Sequence, residues 1–257
     1  MNYIGIDIGS TCAKTVVLNE KKEIIQEFVQ PTGWSSIDTA EEILQKLKLA
    51  GIGLSDNSSC CVATGYGRIS VPYADKTVTE ITCHALGAVH LFQQSDLTVI
   101  DIGGQDTKII QIEQGFVKDF IMNDKCAAGT GRFLEVMANT LSLRPNEMFE
   151  LARLGSDTTI SSMCTVFAES EVIGLIGKGE PKENIAYAVV DSTIRKVAAQ
   201  VSRMNGEMST FCLTGGLCEC EYIREALSKK LGKEVISSPD ARYAGAIGAA
   251  LSAMKIR

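Results

Sequence analysis

The chain has 257 residues, of which 45% are hydrophobic and 22% charged, and its formal net charge is −6. This balance is typical of a folded protein with one large domain or two ordinary ones, and it excludes a disordered chain. The negative charge argues against nucleic acid or an anionic membrane as a partner, because both attract clustered positive charge. The apolar runs are too short to cross a bilayer and the start of the chain lacks a signal-peptide pattern, so we expect a cytoplasmic protein.

The first predicted element is a β-hairpin at Tyr3–Leu18, in which Asp7 ends the first strand and Gly9-Ser10-Thr11 form a tight turn. The pattern returns at Leu97–Ile112. There, Asp101, Ile102, Gly103 and Lys108 match Asp7, Ile8, Gly9 and Lys14 of the first hairpin. Such a repeat predicts two related halves.

Between the hairpins, Asp38-Thr39-Ala40-Glu41 predicts a capping box for a helix that ends at Gly51. A buried strand at Ser59–Thr64 leads into the turn Gly65-Tyr66-Gly67-Arg68. A helix at Thr79–Phe92 follows, and we expect its two histidines, His84 and His90, to be partly exposed helix residues.

After the second hairpin the pattern is mainly helical. Helices are predicted at 132–141, 145–154, 166–176, 183–204, 221–231 and 241–253, and strands at 210–214 and 234–237. The last helix carries small residues at Ala244, Gly245, Gly248 and Ala249. We therefore expect it to approach another backbone closely.

The two hairpin turns have the composition of phosphate-binding loops. Glycine, serine and threonine let phosphate oxygens approach backbone N–H groups, and Gly9-Ser10-Thr11 and Gly103-Gly104-Gln105 both fit this requirement. Asp7 and Asp101 are predicted to face the space between the halves and to hold Mg²⁺ through its waters. Lys14 would add positive charge, and Gln105 would orient an attacking water. The Walker A pattern is absent, so the chain is not a P-loop protein.

Nine cysteines are many for a reducing compartment, and the odd number argues against a disulfide scaffold. The cysteines can then be small buried hydrophobic residues, metal ligands or redox groups. No pair of CxxC motifs has the spacing of a zinc site. We expect Cys60, Cys61 and Cys212, which lie in apolar runs, to be core residues.

Cys126 and Cys164 stand apart, because each comes just before a predicted helix in the segments Asn123–Arg132 and Ser161–Glu171. Backbone N–H groups and the helix dipole favour a thiolate there. An iron–sulfur cluster needs four thiolates, which a symmetric dimer would supply. On the residues alone, two buried thiols at helix starts remain an alternative.

The order of DIGST, DIGGQDTK, LTGG and RYAGAIGAAL resembles the superfamily of actin, heat-shock chaperones and sugar kinases. Within it, the segments ATGYGR, VTEITCHALGA, NDKCAAGTGRFLE and MCTVFAESEV resemble the ATP-dependent activators, or reductase components, of 2-hydroxyacyl-CoA dehydratases. That group also includes benzoyl-CoA reductase ATPase subunits. The resemblance covers nearly the whole chain.

The resemblance implies an α/β fold of two duplicated RNase H-like (actin-like ATPase) domains with an interdomain nucleotide cleft. The first domain would comprise 1–95 with 241–257, and the second 96–240. It further implies a homodimer around one [4Fe–4S] cluster, with Cys126 and Cys164 of each subunit as ligands. ATP or ADP with Mg²⁺ would be bound by Asp7, Gly9, Ser10, Thr11, Lys14, Asp101, Gly103, Gly104, Gln105 and Asp106, and the adenosine would lie at Gly215 and Gly216.

Two details leave alternatives open within the resemblance. Glu80 is a candidate active-site carboxylate, and an exposed glutamate at a helix start is the alternative. After the glycine pair, Leu217-Cys218-Glu219-Cys220 departs from the family pattern. These two extra cysteines have either a redox role or a local packing role.

The function implied is that of an ATP-dependent one-electron reductase. A ferredoxin or flavodoxin would load the cluster, and ATP binding and hydrolysis would drive the electron to an iron–sulfur dehydratase. A reductase of a double-cubane cluster protein is an alternative. Alternatives of other classes are a small-molecule, sugar-type kinase and a non-catalytic ATP-dependent sensor or assembly protein.

Overall fold

The computed structural model describes residues 1–54, 58–161, 164–204 and 210–256. The strands are β1 Asn2–Ile8, β2 Cys12–Leu18, β3 Ile24–Pro31, β4 Ser59–Thr64, β5 Lys76–Thr77, β6 Leu97–Ile102, β7 Thr107–Glu113, β8 Phe116–Asn123, β9 Thr210–Gly215 and β10 Val235–Ile236. The helices are α1 Ser36–Leu49, α2 Glu80–Phe92, α3 Gly131–Thr140, α4 Pro145–Ala152, α5 Thr165–Gly177, α6 Lys182–Val201, α7 Glu221–Leu231 and α8 Ala244–Ala253. Within these described ranges, no helix has the length and apolar character needed to span a membrane.

The two sheets have the same strand order. The first sheet runs β3-β2-β1-β4-β5 and the second β8-β7-β6-β9-β10. If the strands of each sheet are numbered from one in chain order, both sheets have the order 3-2-1-4-5. In the first sheet, β1 pairs antiparallel with β2 and parallel with β4. The duplication predicted from the two hairpins therefore extends to both whole sheets, and the α/β fold is confirmed.

The chain forms two compact units. One comprises residues 1–99, 112–118 and 240–257, and the other residues 100–111 and 119–239. In the first unit, Ile4, Ile6 and Ile8 of β1 pack with Ile43 and Leu47 of α1. In the second, α3 to α7 share one apolar core with the strands of the second sheet. The domain boundaries expected from the sequence stay a prediction.

Most predicted elements are present, but the third strand of each sheet was missed. Residues of β3 alternate between half-buried and exposed over most of its length, and β8 is largely exposed. Both strands lie at the edge of their sheet, beside the second strand of the predicted hairpin. An edge strand does not need the continuous apolar run that marks a buried strand. The last helix also begins later than predicted, at Ala244, because Pro239–Tyr243 form a 3₁₀ turn.

Helix α1 begins earlier than the predicted capping box. Its N-cap is Ser35, whose side chain accepts a hydrogen bond of 3.2 Å from the Asp38 N–H. Asp38 lies in the first turn, so the capping box at Asp38 was wrong. The other end is confirmed: Gly51 N–H donates to the Lys48 carbonyl at 3.0 Å and Ile52 N–H to the Leu47 carbonyl at 2.9 Å, the pattern of a Schellman motif.

This correction can be tested by measuring stability. Ser35→Ala removes the cap and is expected to lower the free energy of unfolding by about 1 kcal/mol. Asp38→Ala removes only an exposed charge near the positive end of the helix, worth about 0.3 kcal/mol. Urea unfolding of both variants decides the point, and a larger loss for Asp38→Ala would contradict the observed cap.

Helix α8 lies in backbone contact with its neighbours. A Cβ atom added at Gly248 would lie 1.8 Å from the Cys83 carbonyl oxygen of α2, and one at Gly87 of α2 would lie 1.9 Å from the Ala244 carbonyl oxygen. A Cβ at Gly5 of β1 would lie 1.9 Å from the Ala246 carbonyl oxygen. The small residues of this helix therefore allow the close approach that the sequence predicted.

Candidate functional site

Each hairpin turn is closed by the same backbone hydrogen bond. Gly9 N–H donates to the Cys12 carbonyl at 3.1 Å, and Gly103 N–H donates to the Asp106 carbonyl at 2.9 Å. At the tips of the turns, Ser10, Thr11 and Gln105 are exposed, while Gly9, Gly103 and Gly104 are half-buried. Tight turns that present polar and backbone groups to solvent are suited to binding phosphate.

Behind each turn lies a buried aspartate beside a glycine. Asp7 is 5% exposed and Asp101 is 2% exposed. A Cβ at Gly65, which follows β4, would lie 2.4 Å from Asp7 Oδ1, and one at Gly215, which ends β9, would lie 3.0 Å from Asp101 Oδ1. Both glycines have positive φ, +83° and +86°. Only glycine fits both the conformation and the space, so the glycine turns are part of the duplication.

The surroundings of Asp101 satisfy both of its oxygens. Thr214 Oγ1 donates to Oδ1 at 2.7 Å, and Lys108 Nζ lies 3.3 Å from Oδ2. Lys108 is itself buried, and its Nζ also lies 2.7 Å from Asp106 Oδ2. A buried ammonium is stable only when it is paired, and here it is paired with two carboxylates. The sequence motifs predict no role for Lys108, although the repeat matches it to Lys14, which is half-buried.

The surroundings of Asp7 are different. The neighbouring polar side chain is His84, whose Nε2 lies 3.9 Å from Asp7 Oδ2, too far for a hydrogen bond. A Cβ at Gly245 of α8 would lie 2.5 Å from Asp7 Oδ2 and 2.9 Å from His84 Nε2. His84 is buried, so the prediction of a partly exposed residue was wrong. No signal in the sequence marks this burial, because the pattern of α2 does not tell which neighbour covers the face of His84.

The predicted site residues thus gather around the two turns, each within its own unit. Asp7, Gly9, Ser10, Thr11 and Lys14 surround the first turn, and Asp101, Gly103, Gly104, Gln105 and Asp106 surround the second. Gly215 is buried beside Asp101, and Gly216 is exposed. Glu80 is the first residue of α2 and is half-buried. Their roles stay predictions.

The nine cysteines, all of which lie in the described ranges, sort clearly by exposure. Cys60, Cys61, Cys83, Cys212 and Cys218 are buried, Cys12 and Cys220 are half-buried, and Cys126 and Cys164 are exposed. Burial raises the pKa of Cys83 to about 12 and also raises the pKa of Cys61 and Cys212. Protonated buried thiols are poor metal ligands. The core role predicted for three of them is confirmed, and the alternative that Cys126 and Cys164 are buried is wrong.

The two exposed cysteines lie in different local settings. Cys164 is the N-cap of α5. Cys126 lies in the loop between β8 and α3, where Asn123 Nδ2 donates to the Cys126 carbonyl at 2.8 Å and to the Ala128 carbonyl at 3.2 Å. Among the described residues of one chain, no group of three or more histidine, cysteine, aspartate or glutamate side chains is placed to hold a metal ion.

The extra cysteines after the second glycine turn have local contacts. The Cys218 carbonyl accepts a hydrogen bond of 2.8 Å from Ser237 Oγ. Cys220 is the N-cap of α7, and burial raises the pKa of its thiol. These contacts favour local packing for both residues.

Two sheets of equal strand order, each with an aspartate and a glycine turn at the end of its first strand, define an actin-like ATPase fold. The model of the BadF/BadG/BcrA/BcrD ATPase family matches residues 4–253, and the chain belongs to this family. The resemblance stated from the sequence motifs is therefore confirmed.

Named relatives share nearly the full length of the chain. The (R)-2-hydroxyglutaryl-CoA dehydratase activating ATPase of Acidaminococcus fermentans is 43% identical over 254 residues, covering 98% of this chain and 96% of the relative. The crystal structure of component A of that dehydratase has a TM-score of 0.92 at 42% identity and covers 100% of this chain and 98% of its own. The activator of the 2-hydroxyisocaproyl-CoA dehydratase from Clostridium difficile with bound ADPNP has a TM-score of 0.90 at 35% identity, with coverage of 100% and 95%.

Proposed function

We propose that this chain is an ATP-dependent one-electron reductase that activates an iron–sulfur dehydratase. The family and its named activators support the class of function. The observation that carries the redox part is the sorting of the nine cysteines, because the two exposed thiols are Cys126 and Cys164. Two thiols per chain are half of the set that a [4Fe–4S] cluster needs, so two copies of the chain would hold one cluster.

Helix α5 supports such a dimer. It begins at Cys164, and Val166, Phe167, Ile173 and Ile176 are exposed by 67%, 67%, 56% and 47%. Exposed apolar side chains of this size are typical of a surface that binds another protein. A Cβ at Gly174 or Gly177 would meet no atom within 4 Å, which leaves room for a second backbone to approach. We propose that α5 packs against the second copy and brings the two Cys164 residues toward the symmetry axis.

The two turns would bind the phosphates of ATP. Asp101 is already bonded to Thr214 and Lys108, whereas Asp7 is flanked by glycines and by a histidine beyond hydrogen-bonding distance. We therefore propose that Asp7 is the main carboxylate for the water shell of Mg²⁺, which prefers one or two carboxylates together with phosphate. Gln105, exposed at the tip of the second turn, would orient the attacking water. Glu80 is proposed as a further carboxylate of the site, and Gly215 and Gly216 as the adenosine contacts.

When bound, the cluster supplies an electron of low potential. The chain contributes the thiolates that hold it at an exposed surface, where ferredoxin or flavodoxin can deliver the electron and the dehydratase can receive it. ATP can drive this transfer only through a difference in its affinity for two conformations. We propose that the two compact units are the two domains of the ATPase, and that the two conformations differ through these domains.

Iron content tests the proposal. The anaerobically purified protein is expected to contain about four irons per dimer, with matching sulfide. Cys126→Ala and Cys164→Ala are expected to lose nearly all of it. Cys220→Ala is the matched control, because Cys220 holds the N-cap position of α7 as Cys164 holds that of α5, and it is expected to keep full iron. A full cluster in either of the first two variants would show that the ligand assignment is wrong, and a colourless ATP-consuming wild type would favour a kinase.

The acceptor is tested separately. Electron delivery from the reduced, ATP-supplied protein is measured with a 2-hydroxyacyl-CoA dehydratase and with a double-cubane cluster protein. Transfer to the dehydratase supports the proposal. Transfer to the double-cubane protein alone would support the alternative acceptor.

A further inference from the structure

The loop that carries Cys126 is attached to the second phosphate-binding turn through the backbone of α3. Gly131 N–H donates to the Gly103 carbonyl at 2.9 Å, and Arg132 N–H donates to the Gly104 carbonyl at 2.8 Å. Gly131 and Arg132 are the first residues of α3, whose N–H groups have no partner within the helix. The carbonyls of the turn therefore satisfy the start of the helix that follows Cys126.

A side chain of β7, the strand that follows the turn, makes a third link. Thr107, the first residue of β7, donates from Oγ1 to the Gly129 carbonyl at 2.6 Å in a buried hydrogen bond. Gly129 belongs to the loop that contains Cys126. Inside that loop, Thr130 Oγ1 donates to the Ala127 carbonyl at 2.6 Å. The loop that contains Cys126 and the start of α3 are thus joined to the second hairpin by three hydrogen bonds, at Gly129, Gly131 and Arg132.

The first hairpin lacks this link. By the repeat, Ala13 stands where the second hairpin has Thr107. The Gly9 carbonyl, which matches Gly103, accepts a hydrogen bond of 2.7 Å from the Thr32 side chain instead of one from a helix backbone. Of the matched positions Ala13 and Thr107, only Thr107 has a side-chain hydroxyl, and Thr107 is the one that lies next to the loop containing Cys126.

We propose that Thr107 is a positioning residue that makes the Cys126 loop follow the second phosphate-binding turn, so that the bound nucleotide sets the exposure of the cluster ligand. The inference rests on the proposed function. Leaving a buried carbonyl without its donor is unfavourable, so a turn that shifts with the nucleotide carries Gly129 and the start of α3 with it. The nucleotide signal then reaches Cys126 within the second unit.

The test compares iron release in two nucleotide states. The cluster-loaded protein is mixed with the ferrous chelator bathophenanthroline disulfonate in the presence of Mg-ADP or Mg-ADPNP, and the release rates are measured. In the wild type the two rates are expected to differ on the order of tenfold, within the range of ordinary coupling between sites. Thr107→Val keeps the shape of the side chain but lacks the donor, and the ratio of its two rates is expected to fall to about threefold, because the backbone hydrogen bonds of Gly131 and Arg132 remain. If Thr107→Val does not fold, Thr107→Ala is used instead, which places at this position the residue type of the matched Ala13.

Two controls separate coupling from loss of structure. Thr107→Ser keeps the hydroxyl and is expected to keep the ratio of rates. Thr130→Val loosens the loop without touching its links to the turn, and it is expected to speed release in both states while the ratio is kept. If Thr130→Val also lowered the ratio of the two iron-release rates, the positioning role proposed for Thr107 would be overturned.

The failure of this inference differs from the failure of the proposed function. A fully iron-loaded Thr107→Val protein with the wild-type ratio would overturn the inference and leave the proposed function standing. Equal rates in an iron-loaded wild type would have the same effect. A wild type without iron would overturn the proposed function itself.

Discussion

Gly248→Ala is expected to lower the free energy of unfolding by about 3 kcal/mol or more, a large effect for a single methyl group. The added Cβ would lie 1.8 Å from the Cys83 carbonyl oxygen and 2.5 Å from its carbonyl carbon. Both atoms belong to the backbone of α2, which cannot rotate away as a side chain can. The two helices would have to separate, and the contacts of α8 with β1 and α2 would weaken together.

Denaturant unfolding of the full chain measures this effect, and α5 offers a matched control. Gly174 is also a helix residue, but a Cβ there would meet no atom within 4 Å. Because α5 is the proposed dimer surface, both variants are compared as iron-free monomers, in which Gly174→Ala is expected to be neutral or to raise the free energy of unfolding by up to about 1 kcal/mol, since alanine is the better helix former. If Gly248→Ala behaved like Gly174→Ala, the close contact between α2 and α8 would be disproved.

Lys108→Met is expected to cost about 3–5 kcal/mol of unfolding free energy, the usual result of removing one partner from a buried ion pair. Lys108 Nζ lies 3.3 Å from Asp101 Oδ2 and 2.7 Å from Asp106 Oδ2, and Asp101 is almost fully buried. Methionine preserves the apolar stem and removes the ammonium. The two carboxylates then face each other without a cation between them.

Lys14→Met is the control, because Lys14 holds the matched position in the first hairpin but is half-buried. We expect it to change stability by less than about 0.5 kcal/mol, as surface substitutions do. Adding Asp106→Asn to Lys108→Met should recover part of the loss, since neighbouring charges couple by about 0.5–3 kcal/mol. Equal unfolding curves for Lys108→Met and Lys14→Met would contradict the structural role assigned to Lys108.

Much of the fold was predictable because local sequence patterns determine it, and the hairpin pattern occurs twice. The matching hairpins around Asp7 and Asp101 predicted two related halves, and the small residues of α8 predicted close backbone packing. The outer strands β3 and β8 were missed because they lack a buried apolar run. The start of α1 was misplaced because Ser35 and Asp38 are both good capping residues, and only the backbone conformation decides between them.

The candidate site was predictable where chemistry follows from residue type and unpredictable where it depends on tertiary contacts. The glycine turns and the two cysteine segments could be found from the sequence. The burial of His84 beside Asp7 could not, since the α2 pattern does not tell which neighbour covers that face. The hydrogen bond of Thr107 was equally hidden, because it joins two segments that are distant in the sequence.

Helix α8 has a further consequence for synthesis on the ribosome. It lies in the first unit, against β1, yet it follows the whole second unit in the sequence. The second unit, with both exposed cysteines, is therefore completely translated before the first unit can acquire its last helix. Because domains tend to fold as units while the chain is still growing, the half of the molecule that emerges first is the half that finishes folding last.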